Sequence, residues 1–174
     1  MRTTFFTILF AWVATSQTFA RVGSMALDQL ARESAIIVVA KVKSVSQPLI
    51  GKRYAKAEVV EVWKGDQKER VEFLASRTWT CDVSEARKGE TVLLFLTKGG
   101  KSRSYEIAHS GRGRMPLRTV NGKEFATFWP DIRLPKGTPT IDGFRPEWDF
   151  IRSVEVAILR DLVNKALENM EKSE

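Results

Sequence analysis

The 174-residue chain is 43% hydrophobic and carries one cysteine and one histidine. That apolar share suits one folded domain and excludes a disordered polymer, while the two single residues exclude an internal disulfide framework and a multi-histidine metal site. The formal charge of +7 favours anionic partners without naming one.

The chain opens with MRTTFFTILFAWVATSQTFA, which reads as a secretory signal. Arg2 supplies a basic start, an apolar stretch of about ten residues follows, and the small Thr18 and Ala20 occupy the −3 and −1 positions of a cleavage site. The stretch is too short to span a bilayer as a mature helix. Cleavage after Ala20 is expected, leaving a mature chain that starts at Arg21 in the periplasm or outside the cell.

SMALDQLARES places Met25, Leu27 and Leu30 among polar neighbours and predicts a short opening helix. IIVVAKVKSV is β-branched and ends in alternation, with Lys41 and Lys43 opposite Ala40 and Val42, so a strand is expected. YAKAEVVEVW repeats the pattern, setting Ala55, Ala57 and Val59 against Lys56 and Glu58; its phase slips at Val59-Val60, which predicts a bulge or bend. RVEFLAS gives a third strand with Val71, Phe73 and Ala75 on one side. GETVLLFLTK, bounded by Gly89 and by Gly99-Gly100, predicts a central strand buried on both faces. RSYEIAHS gives a fifth strand, and Asn121-Gly122 within MPLRTVNGKEFATF predicts a hairpin with a type I′ turn.

WPDIRLPKGTPTIDG reads as a loop. The remainder predicts one long helix over 146–171, with Pro146 at its first position, Glu147 and Asp149 in its first turn, and an apolar stripe from Ile151 through Val154, Ile158 and Leu162 to Ala166. This helix is expected to pack on the preceding domain, residues 21–145, and to close one open end of it. Five short strands followed by a helix predict a mainly β protein built on a small barrel.

The blocks ESAIIVVAKVKSV, YAKAEVVEVWKGDQKERVEFLAS, CDVSEARKGETVLLFL and YEIAHS resemble the N-terminal domain of tissue inhibitors of metalloproteinases, the netrin-type module also found in bacterial exported proteins. The shared pattern is a long second strand ending in an aromatic-Lys-Gly turn, here Trp63-Lys64-Gly65, then a cysteine before a Gly-bounded apolar strand. The resemblance spans residues 26–109 and implies a five-stranded OB-fold Greek-key barrel, to which the hairpin and the C-terminal helix are additions. It also implies that Cys81 stands where the family's cysteine bonds the mature N-terminal cysteine, whose amine and carbonyl chelate the zinc of the target protease. Here Arg21 takes that terminal position and no second cysteine exists, so inhibition by that route is not expected.

The chemistry left to read is sparse. Cys81 and His109 form a conceivable nucleophile pair for a hydrolase or transferase; otherwise Cys81 is a small packed side chain or links two chains as a disulfide dimer. Ser110-Gly111-Arg112-Gly113-Arg114 looks like a phosphate-cradling loop but lacks its lysine and hydroxyl and precedes a strand, so it reads as a flexible loop. Lys98, Lys101, Arg103, Arg112, Arg114 and Arg118 face only Glu106 in their stretch, with Tyr105 inside it and Phe128 and Trp129 beyond. This basic patch is the candidate surface for an anionic polymer, and export sets nucleic acid aside. The expectation is a non-catalytic binding module for a protein or an anionic extracellular polymer, without a cofactor.

Overall fold

The computed structural model describes residues 22–66, 69–99, 104–143 and 151–172. The expected signal (1–20), Arg21, Lys101, Arg103, Pro146, Glu147 and Asp149 lie outside the described residues. A two-residue strand β1 (Met25–Ala26) leads into helix α1 (Leu27–Glu33). Five strands then build the barrel: β2 (Ile36–Val45), β3 (Tyr54–Lys64), β4 (Arg70–Leu74), β5 (Thr91–Lys98) and β6 (Tyr105–Ile107).

β2 pairs antiparallel with β3 and β3 with β4; β4 runs parallel to β6, β6 pairs with β5, and β5 returns to β2. The ring order β2-β3-β4-β6-β5, with its single parallel contact, is the OB-fold arrangement, and closure removes both sheet edges. Alternation along β2 and β5 explains why both are buried on two faces. Val38↔Leu94 and Ala40↔Val92 point into the barrel beside Phe73, while Ile37↔Phe95 and Val39↔Leu93 point out of it. Val60 marks the expected slip: Val39 pairs with Glu61 and Ala40 with Val59, leaving Val60 bulged and 65% exposed.

The Trp63-Lys64-Gly65 turn ties the barrel to α1. Lys64 Nζ donates to the Ala31 and Arg32 carbonyls at 2.8 and 2.9 Å, capping the carbonyl end of the helix with a cation. Gly65 has φ +88, and a Cβ there would sit 2.7 Å from the Ala35 carbonyl oxygen. Trp63 lies under the Arg160 guanidinium, 5.4 Å from ring centroid to Cζ.

Beyond the barrel, β7 (Arg114–Val120) pairs with β5, and β8 (Lys123–Phe128) folds back on β7. Asn121 (φ 51) and Gly122 (φ 76) are both left-handed, as a type I′ turn requires. The segment read as a plain loop holds two short strands: β9 (Ile132–Arg133), parallel to β1, and β10 (Ile141–Asp142).

The long helix starts later than its sequence pattern suggests. Residues 152–155 form β11 (Arg152–Glu155), paired with β8 and β10, and helix α2 covers Val156–Glu171. Ile151 and Val154 suit a helical stripe equally well over so short a span. Pairing prevails because it satisfies the open edge of β8, while Val154 is fully buried and Ser153 Oγ meets Thr127 Oγ1 at 2.9 Å. Val156, Leu159, Val163 and Ala166 of α2 join Ile37, Val39, Leu93 and Phe95 in a second core. The helix packs against α1 and against β8, β11 and β3. No described helix is long and apolar enough to cross a membrane.

Candidate functional site

The described residues of the basic stretch do not form one surface. Lys98 and Arg118 are exposed, whereas Arg112 and Arg114 are buried at 8% and 6% exposure. Arg114 Nε donates to Glu90 Oε1 at 3.0 Å, its Nη2 reaches Glu90 Oε2, and Glu85 lies 3.8 Å from Nη1. Arg112 Nε pairs with Asp131, and its Nη1 donates to the carbonyls of Cys81 (3.0 Å) and Ser110 (3.3 Å). The same guanidinium stands 5.9 Å from the centroid of the Trp129 ring. A charge survives burial only when paired, and Glu85, Glu90 and Asp131 lie outside the stretch whose charge looked one-signed.

The glycine-rich segment is likewise packed. His109, Ser110 and Gly111 all have positive φ, and Gly113 N donates to Ala108 O at 3.0 Å while Gly113 O accepts from Phe95 N at 2.8 Å. Val83 N donates to Ser110 O at 3.0 Å, which docks the segment on the loop that carries Cys81. Asp82, a residue not singled out in the sequence, staples that loop. Its Oδ2 accepts from Thr78 N and Oγ1 at 2.8 and 2.7 Å, and its Oδ1 accepts from Ser84 N at 2.7 Å. Burial pushes the Asp82 carboxyl up, but the hydrogen bonds from Ser84 and Thr78 outweigh it and hold it below the ordinary range. The spacing of Asp82 and Ser84 is an Asx-turn signature that could have flagged it.

Cys81 is half-buried in this loop. His109 Nε2 meets no hydrogen-bond partner among the described residues, so that nitrogen does not engage the Cys81 thiol. Burial lowers the His109 pKa first and the Arg112 cation second, against the hydrogen bond the imidazole donates to the Gly23 backbone and the carboxylates of Asp131 and Glu33. The folded pKa thus lies below the ordinary 6.5, and the unfolded chain takes up the proton more readily. His109's contribution to stability is complete above 6.5 and is lost as pH falls through the depressed folded value. Urea midpoints at neutral and acid pH should separate further for the wild type than for His109→Asn, a residue that tolerates the left-handed backbone. Equal separations would remove His109 from the acid response.

A cleft of about 220 Å³ lies between the β4–β5 loop and the added sheet. Pro116, Phe128 and Trp129 supply its apolar lining, and Arg77, Arg87 and Arg114 with Glu85 supply its charge. A second recess of about 420 Å³, bordered by Glu90 and Arg118, adjoins it, sharing Arg87, Pro116 and Thr127. Arg77 makes no ion pair among the described residues, and Arg87 has only Glu85 at 3.9 Å. Of the described basic residues picked from the sequence, Arg114 borders this cleft and Arg118 the adjoining recess; Lys98 and Arg112 line neither. Arg77 and Arg87 were missed because they flank the cysteine loop rather than the densest basic run. A scan of protein-family models finds no match for the chain, and neither does a search of curated proteins.

Proposed function

We propose that the chain is an exported, non-catalytic binding module of the tissue-inhibitor or netrin type, and that its ligand is an anionic polymer held in the arginine-bordered cleft. The ring order of the barrel and the job done by Trp63-Lys64-Gly65 support the kinship, and the N-terminal twenty residues support export. The observation that carries the function is the cleft itself. Guanidinium groups at Arg77 and Arg87 face outward beside an aromatic lining, while Arg114 is already neutralised by Glu90. Guanidinium forks match planar carboxylate or sulfate groups, and Trp129 offers a flat surface for a sugar ring. A thiol hydrolase using Cys81 with His109 has less support, because His109 Nε2 makes no hydrogen bond to the thiol.

Retention on a sulfated or carboxylated polysaccharide matrix tests this reading. Arg77→Gln with Arg87→Gln should elute at lower salt and reduce the salt slope by about 1 per arginine removed. Elution at the wild-type salt concentration would exclude the cleft as the site.

A further inference from the structure

The geometry points to a second surface, the β2–β3 loop, as a docking element for an anionic lipid bilayer. Leu49 and Ile50 at its tip are 104% and 94% exposed, well beyond the next large apolar side chain, Val60 at 65%. The bases of the loop are held firmly. Ser46 N donates to Tyr54 O and Tyr54 N to Ser46 Oγ, both at 2.8 Å, and Arg53 N donates to Ser76 Oγ at 2.6 Å. Gly51, with φ +110, turns the chain directly after the aliphatic pair. The tip is thus projected away from the barrel by an anchored stem.

Charge selects the occupant. Lys52 and Arg53 follow the pair, are exposed, and make no ion pair among the described residues. Of the five cations between Glu33 and Glu58, Lys43 pairs with Glu58 and Lys56 lies 3.6 Å from Glu72, so Lys52 and Arg53 are the charges left beside the aliphatic pair. Two aliphatic side chains beside cations match the boundary between acyl chains and phosphate headgroups, where the former enter and the latter stay at the surface. A nucleic acid or polysaccharide would use the cations and leave Leu49 and Ile50 in water. A protein pocket would use the aliphatics without needing the two unpaired cations beside them.

Co-sedimentation with phosphatidylglycerol-rich and with phosphatidylcholine vesicles tests the assignment, using wild type and Leu49→Ser/Ile50→Ser in the same form of the chain. The N-terminal apolar segment, where present, then contributes equally to both. Wild type should bind the anionic vesicles, and the double variant should bind at least about tenfold more weakly. Lys52→Gln/Arg53→Gln should lose about tenfold on anionic vesicles only. In a separate measurement, Leu49→Trp should add a fluorescence component that shifts to the blue on anionic vesicles and is quenched by spin-labelled lipid. Failure of the wild type to bind, equal binding by Leu49→Ser/Ile50→Ser, or an unshifted Leu49→Trp emission would each overturn the assignment. All these side chains lie outside the core, so the variants fold as the parent does.

Discussion

Arg114→Met is expected to lower folding stability by about 3–5 kcal/mol, a loss far outside the range of a surface charge substitution. Arg114 is 6% exposed, and the side chain of its bidentate partner Glu90 is only 15% exposed. Removing the guanidinium leaves that carboxylate, which borders the recess adjoining the cleft, without its main counter-charge, and Glu85 loses a neighbour as well. The pair also has a structural duty, since Glu90 Oε1 accepts from Arg87 N at 2.8 Å and so closes the turn before β5. Adding Glu90→Gln to Arg114→Met should recover a large part of the loss. The amide oxygen still accepts from Arg87 N, and no buried charge remains. Urea denaturation followed by tryptophan emission measures both variants. A single variant within about 1 kcal/mol of wild type, or a double variant no better than the single, would show that the pair is not desolvated in solution.

What could be read in advance and what could not divides by the range of the interaction. Asn121-Gly122, the slip at Val59-Val60 and the doubly buried β5 are encoded by neighbours in the chain, and each is where the pattern put it. Trp63-Lys64-Gly65 was visible as a marker, but its job depends on α1, some thirty residues earlier, whose carbonyls Lys64 caps. The start of α2 was misplaced because Ile151 and Val154 fit two periods, and the open edge of β8 that decides between them lies elsewhere in the chain. The burial of Arg112 and Arg114 escaped the sequence for the same reason. Counting charge along residues 98–118 misses Glu85, Glu90 and Asp131, which neutralise the two buried arginines, and misses Arg77 and Arg87, which border the cleft.

Gly111→Ala is expected to be as damaging as the loss of Arg114, about 3–5 kcal/mol or outright failure to fold, and to weaken anionic ligand binding with it. A glycine between Ser110 and Arg112 suggests freedom of movement, yet Gly111 is there because two backbones meet. Its φ is +85, and a Cβ would stand 2.2 Å from Ser84 N, 2.5 Å from Val83 C and 2.7 Å from Ser84 Cα. All three are backbone atoms, so no side chain can swing aside. The loop at 82–84 must move, and with it goes the hydrogen bond from Ser84 N to Asp82 that staples the cysteine loop. Val83 and Glu85, which line the cleft, are displaced in the same step. Gly122→Ala separates the two causes of damage. That glycine has a similar φ of +76 but nothing within 4 Å of the added Cβ, so it should cost only the conformational part, about 1–2 kcal/mol. Denaturation midpoints of the two variants, measured side by side, decide the matter. If Gly111→Ala is no worse than Gly122→Ala, the segment is not packed against residues 83 and 84, and the cleft loses the wall that this contact holds in place.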